Sequence, residues 1–277
     1  MIKHDFEVLY HDFPNLRFET PFMTRAKMLK YVTPEGKIIS KGKSLRLSRY
    51  MRISNVIETV NGQLRFDVPS RWIDPFEKLF YQNPVRIGDK KFYVVCLCFI
   101  HDVNNGEESL WHVHGNIQNN GQTDPSDCMI RASFDIQALC KGLAKANPDI
   151  TFYLAAIDYS LSRDEILKQN VSYTSIEEFI SKMLLKRQAF SYEHEVRLFA
   201  VSESPFSIVD DFCLMNLKKA KQVVTSVTLP PLPILNNYDK KDYHKQLDQQ
   251  FSRLRCDLRN NGCNMIIQQS RLYDVMR

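Results

Sequence analysis

Ser191-Tyr192-Glu193-His194-Glu195-Val196-Arg197-Leu198-Phe199 reads as a β-strand with two unlike faces. Alternate residues of a strand share a face and lie about 7 Å apart, at roughly 3.3 Å per residue. Glu193, Glu195 and Arg197 then form one charged row, while His194, Val196, Leu198 and Ala200 form a second, mostly apolar one. The charged row has two readings. It can line a cleft, where one glutamate stabilises cationic character and the other activates a nucleophile. It can equally be a solvated strand face whose Glu–Arg pairing contributes little.

Upstream, Thr174 and Glu177 form a capping-box pattern. It opens an amphipathic helix with Ile176, Phe179, Ile180, Met183 and Leu184 on one face, and the glutamate strand follows directly. Ser162 and Glu165 form a second box, and Ile150 to Tyr159 reads as a strand. Asp135 is placed to cap a helix whose apolar positions are Ile136, Leu139, Cys140 and Leu143. Phe92 to Ile100 is an uncharged run of β-formers, as a buried strand requires. Ile53, Val56, Ile57 and Val60 recur at helical spacing before Gly62, and Leu64 to Val68 then reads as a strand ended by Pro69. Residues 101–127 form a long polar loop rich in Asn, Gly, Gln and Asp. Downstream, Gln222 to Leu229 reads as a strand closed by Pro230-Pro231-Leu232-Pro233. Leu247, Phe251, Leu254 and Leu258 mark a helix that stops near Gly262, and Met265-Ile266-Ile267 is a last short strand. Strands and helices do not alternate regularly, and no dinucleotide-binding or phosphate-loop glycine pattern occurs. The expected class is α+β with a mixed or antiparallel central sheet.

Length and composition set the outer bounds. The chain has 277 residues, 44% hydrophobic and 25% charged, which suits a globular protein with a sizeable core. No apolar run approaches the roughly 20 residues that span a bilayer. Met1-Ile2-Lys3-His4-Asp5 begins no apolar signal region, so a cytoplasmic location without membrane partners is expected. Seven cysteines, several in apolar runs (Cys96, Cys98, Cys140), read as buried thiols. A net charge of +5 permits a polyanionic partner without requiring one.

Four further segments carry candidate chemistry. In Ser48-Arg49-Tyr50, an arginine on a strand can hold a phosphate or carboxylate, and the tyrosine offers a stacking face. Arg71-Trp72-Ile73-Asp74-Pro75-Phe76-Glu77 suggests a packed loop whose aromatic residues either wall a pocket or anchor the core. Trp111-His112-Val113-His114, even together with Cys96 and Cys98, lacks a recognised metal-site spacing, so no metal is expected. Lys240, Lys241, Lys245, Arg253, Arg255 and Arg259 flank the apolar stripe of the C-terminal helix and are candidate nucleic-acid contacts, or a solvated face.

Taken in order, these segments resemble a bacterial family catalogued as a domain of unknown function. That family's pattern is a Tyr-Arg-Tyr strand, an Asn-Asp-Pro-Phe-Glu block, a Trp-x-His-Tyr block and a Glu-x-Glu-x-Arg-Leu strand. The matching residues are Ser48-Arg49-Tyr50, Leu64 through Glu77, Leu110 through His114, and Glu193 through Leu198, with Ser270-Arg271-Leu272-Tyr273 at the close. The resemblance covers roughly residues 45–275. Asp67 stands where serine is usual, Trp72 and Ile73 replace a Phe-Asn pair, and His114 replaces tyrosine.

The family in turn resembles the ADP-ribosyltransferase fold, a split mixed β-core with an NAD-binding cleft. The resemblance implies an N-terminal extension over 1–44 packed on an ADP-ribosyltransferase-like domain over 45–277. It implies NAD as substrate, Arg49 as ribose and phosphate anchor, Glu195 as catalytic glutamate and Glu193 as the group that prepares the acceptor. Tyr50, Ser70, Trp72, Phe76 and Trp111 become candidate NAD contacts. The implied activity is transfer of ADP-ribose to RNA or DNA in preference to protein, in a toxin or antiviral effector with a possible antitoxin partner. A non-catalytic nucleotide-binding module and an NAD glycohydrolase are the alternatives.

Overall fold

The uncharged run from Phe92 lies in the strand Lys90–Ile100, the longest of the sheet. The structure is a computed structural model, and it describes residues 16–17, 46–72, 74–100, 110–111, 129–230, 249, 252–253, 255–263 and 265–270. Its strands are β1 (Leu16–Arg17), β2 (Arg46–Arg52), β3 (Gln63–Asp67), β4 (Val85–Ile87), β5 (Lys90–Ile100) and β6 (Met129–Asp135). They continue with β7 (Thr151–Ala156), β8 (Glu195–Ser202), β9 (Phe212–Asn216), β10 (Val224–Leu229) and β11 (Ile266–Gln269). Among the described residues the bounded helices are α1 (Ile53–Val60), α2 (Pro75–Lys78), α3 (Ile136–Ala146), α4 (Arg163–Leu167) and α5 (Ile176–Lys182), and residues 255–260 are helical as well.

The main path through the sheet is β1-β7-β8-β5-β2-β6-β10-β11. β1 with β7 and β10 with β11 run parallel, and the remaining ladders are antiparallel. The fold is therefore α+β around a large mixed sheet. β8 pairs with β5 from Tyr93 to Ile100, which leaves the other edge of β5 to be shared. β2 meets that edge at Ser48–Ile100, and β3 meets it at Asp67–Cys96 before pairing with β9. The sheet thus forks at β5, and α1 joins the two branches.

Side-chain alternation divides the core between the two faces. On one face, Leu47, Met51, Leu97, Phe99, Phe134, Leu198 and Ala200 pack with Ile53, Val56 and Val60 of α1 and Leu139 and Leu143 of α3. On the other, Val94, Cys96, Tyr153, Phe199 and Val201 pack with Ile166 of α4 and Phe179, Ile180 and Met183 around α5.

Local signals explain the helices. The Asp135 carboxylate accepts from Ala138 N at 2.9 Å, so α3 starts where its cap predicts. Asp135→Ala is expected to cost about 1 kcal/mol through loss of that cap, read as a lower urea midpoint at unchanged slope. Ser162 and Glu165 form the reciprocal box at α4. At α5 the cap is Ser175, whose hydroxyl accepts from Glu178 N, one residue later than the Thr174–Glu177 reading. Thr174 still contributes, because both its N–H and its hydroxyl donate to Glu178.

Three strand readings are corrected. β7 ends at Ala156, short of Tyr159, because residues 157–159 turn to face the start of β8 and the end of α5: Ile157 N donates to Glu195 O and Asp158 N to Leu184 O. The Gln222 end of the next predicted strand is a 3-10 turn, Ala220–Gln222, and β10 begins at Val224. Most consequential, the glutamate strand does not follow α5 directly. Gln188–Glu193 is a 3-10 turn, His194 is left-handed with φ 45°, and the strand starts at Glu195. Glu193 therefore does not share a strand row with Glu195 and Arg197. Of the 1–44 segment, only residues 16–17 are described.

A buried carboxylate cluster as candidate functional site

β8 brings Glu195 and Arg197 to the α5 face of the sheet, where both are buried. The planar fork of Arg197 matches a carboxylate bidentately. Its Nε donates to Glu195 Oε1 at 2.7 Å and its Nη2 to Glu195 Oε2 at 3.2 Å. Nη2 also reaches Glu77 Oε2 at 3.0 Å, and Nη1 donates to the Met183 carbonyl at the end of α5. A cation on the last carbonyls of a helix satisfies groups that the helix itself leaves open. The Trp72 ring lies over the guanidinium, 3.8 Å from Cζ to the ring centroid.

Lys186 supplies the second cation. Its Nζ lies 2.7 Å from Glu193 Oε2, 2.9 Å from Glu195 Oε2 and 2.9 Å from Glu77 Oε1. The first two contacts are hydrogen bonds; the Glu77 contact is an ion pair outside hydrogen-bonding angles. The turn at Gln188–Glu193 makes this possible by folding Glu193 back over Lys186. Three carboxylates meet two cations, so the formal charge of this buried group is 3 negative against 2 positive, or −1. Beside it, Asp74 caps α2 with one oxygen and holds Arg187 with the other at 3.1 Å, and Arg187 lies between Phe76 and Phe190. The Tyr159 hydroxyl accepts from Glu195 N.

The electrostatics separate the two strand-end glutamates. Burial opposes the charge of Glu195, but Arg197 and Lys186 outweigh it and hold the carboxyl far below the usual range. Burial dominates at Glu193 and raises its carboxyl above the usual range against the pull of Lys186. Lys186 and Arg197 lose hydration too, yet the surrounding carboxylates raise both. Hydrogen bonding to Cys96, then burial, hold the Cys98 thiol well up, so it stays protonated.

The other candidates distribute differently. Ser48, Ile100 and Glu195 are in register across β2, β5 and β8 and so share a face. Arg49 is the next residue of β2, and its guanidinium is held at 2.7 Å by Asp67, whose partner in β5 is Cys96. The same Asp67 carboxylate takes Arg65 Nε at 3.3 Å. Tyr50 shares the Glu195 face, but its ring packs edge-on against buried Trp111 at 4.8 Å. Ser70 is exposed on a 3-10 turn, and the structure gives it no contact with the cluster. Trp72 lies against Arg197, and Phe76 against Arg187. Arg253 and Arg259 are exposed and Arg255 is half-buried; Lys240, Lys241 and Lys245 lie outside the described residues, as do His112 and His114.

Glu77, Lys186, Tyr159 and Arg187 were given no role by the sequence. The available signals were weak: Glu77 closes the Asp-Pro-Phe-Glu block, and Lys186-Arg187 is a basic pair between an amphipathic helix and the glutamates. No helix among the described residues is long and apolar enough to cross a membrane. In comparisons with known proteins, no family model, no curated protein and no solved structure matches this chain, so the family resemblance rests on the quoted blocks of sequence alone.

Proposed function

We propose that this protein takes NAD as substrate and transfers its ADP-ribose group to a macromolecular acceptor, RNA or DNA in preference to protein. The observation that carries the reading is a carboxylate cluster of formal charge −1 at the head of β8, in register through β5 with the early strand β2. Breaking the nicotinamide–ribose bond builds oxocarbenium-like positive charge, and an uncompensated carboxylate held in a low-dielectric site stabilises that charge. The finer fold assignment, an ADP-ribosyltransferase-like split core, belongs to the same proposal. The fork at β5 supports it. A toxin or antiviral effector held by an antitoxin is the biological role this chemistry suits.

A nucleotide-binding module without transfer is the second reading. It is favoured by the complete pairing of Glu195, both of whose oxygens are already bonded. Water in place of the acceptor would give an NAD glycohydrolase.

Incubation with adenylate-labelled NAD and separate pools of RNA, DNA and protein distinguishes these readings. Transfer is expected to leave label on nucleic acid with one nicotinamide released per label retained. Nicotinamide release with free ADP-ribose and no labelled pool would make the protein a hydrolase. Retained intact NAD without nicotinamide release would make it a binding module, and neither binding nor cleavage would overturn the proposal.

A further inference from the structure

We propose that α3, the turn after β9 and the helical residues 255–260 together build a binding surface for the phosphate backbone of a nucleic-acid duplex. The proposal goes beyond the transfer reading and does not depend on it. The three segments meet through specific contacts. Lys218 N donates to the Gly142 carbonyl at 3.2 Å, which seats the turn on α3. Position 142 needs glycine for this, because a Cβ there would stand 2.5 Å from the Lys218 carbonyl oxygen. Lys221 lies over the end of the C-terminal helix, its Nζ 2.8 Å from where a Cβ of residue 262 would be. Beneath them Leu139, Leu143, Ala220, Val223, Leu258 and Cys263 belong to one core, so the segments form a fixed platform.

The charge of this platform is one-sided. α3 carries Lys141 and Lys145 and no carboxylate, and residues 217–223 carry Lys218, Lys219 and Lys221 and no carboxylate. Residues 255–263 carry Arg255 and Arg259 against Asp257. Seven cations against one carboxylate give +6, whereas the whole chain is +5, so everything else sums to −1. Lys141 and Arg255 are half-buried and the other five cations are exposed. None of the seven forms an ion pair among the described residues. The platform packs on the α1 and α3 side of the sheet, and the negative cluster lies on the α5 side.

The chemistry of the face selects its partner. Lysine is depleted at the core of protein interfaces but binds phosphate as a point charge. A protein partner would need a large apolar or aromatic anchor, and none of the exposed large hydrophobic side chains among the described residues lies in these segments. The segments also contain no Phe, Tyr or Trp, so they lack the stacking platform on which single strands are held. What they offer is a set of fixed positive charges. Such a set suits the closely spaced phosphates of a duplex and reads no base sequence.

Fluorescence anisotropy tests this with the full chain and no NAD, using mixed-sequence duplex DNA, duplex RNA and their single strands. A variant combining Lys145→Glu, Lys218→Glu and Lys221→Glu is compared with one combining Arg86→Glu, Lys91→Glu and Lys168→Glu. The second makes the same change in net charge at exposed positions of β4, β5 and the end of α4. The parent is expected to bind duplex, and neutralising about five phosphates would weaken it roughly 500-fold between about 50 and about 200 mM salt. The first variant should melt within a few degrees of the parent, bind at least about 10-fold more weakly and show a salt slope smaller by about three. The second should stay within about threefold of the parent. The tighter of the two duplexes identifies the ligand. The proposal is overturned if the parent binds no duplex at about 50 mM salt, if single strands bind more tightly than duplexes, or if both variants lose affinity equally. Binding of polyglutamate in place of duplex would assign the face to an acidic protein and overturn it as well.

Discussion

Replacing Arg197 by methionine is expected to destabilise the fold by about 3–5 kcal/mol, the usual consequence of removing one partner from a buried ion pair. Methionine keeps much of the length of the side chain, so the loss is one of charge and hydrogen bonds rather than of volume. It leaves Glu195 Oε1 without a donor, leaves Glu77 Oε2 without its guanidinium, and uncovers the Met183 carbonyl at the end of α5. For a chain of this size the loss corresponds to a melting temperature lower by roughly 6–20 °C. Adding Glu195→Leu to Arg197→Met should restore part of the loss, because removing both partners avoids an unpaired buried charge. A single-variant loss below about 1 kcal/mol, with no coupling in the double-mutant cycle, would show that the cluster is solvated.

Lys186→Met is expected to give a comparable loss, about 3–5 kcal/mol at pH 8, with an inverted dependence on pH. Without the ammonium, three carboxylates face one guanidinium, 3 negative against 1 positive, or −2. Glu193, whose carboxyl burial already raises, then loses the ammonium that pulls it down and holds its proton more readily still in the folded protein. A raised folded-state value contributes stability that is complete below the unfolded value and is lost as pH rises through the folded one. The variant should therefore come closest to the parent near pH 5 and fall furthest behind near pH 8. The parent runs the other way through Glu195. Its carboxyl is held low, so its contribution is complete above the unfolded value and declines as pH falls below about 4. Urea midpoints at the two pH values measure this. A deficit that is equal at both would mean that Lys186 contributes packing and not charge.

What the sequence displayed was whatever depends on neighbours along the chain. Asp135 before Ile136, Leu139, Cys140 and Leu143 announces a capped amphipathic helix because cap and stripe lie within a few turns of one another. The uncharged run to Ile100 announces a buried strand because both of its faces are covered. The candidate site was legible only in part. Glu195 and Arg197 share a strand row, as alternation predicts, but no pattern shows that His194 turns left-handed and takes Glu193 off that row. The role of Arg49 depended on strand pairing. The register Ser48–Ile100–Glu195 puts the serine in line with the glutamate, the register Asp67–Cys96 brings in the partner of Arg49, and both are set by pairing between strands. Lys186 and Glu77 are ordinary surface residue types, and only the folded chain shows that they are buried together.

The bond between Glu77 of α2 and Arg197 of β8 joins residues 120 positions apart, with β4 to β7 and α3 to α5 between them. Contacts that close so much chain form only after the intervening strands are in place. An interaction absent from the folding transition state leaves the folding rate nearly unchanged and acts on the rate of unfolding. The charge cluster therefore governs chiefly how long each folded molecule lasts before it opens. For a protein exposed to proteases in its open form, that lifetime sets the period over which it stays intact.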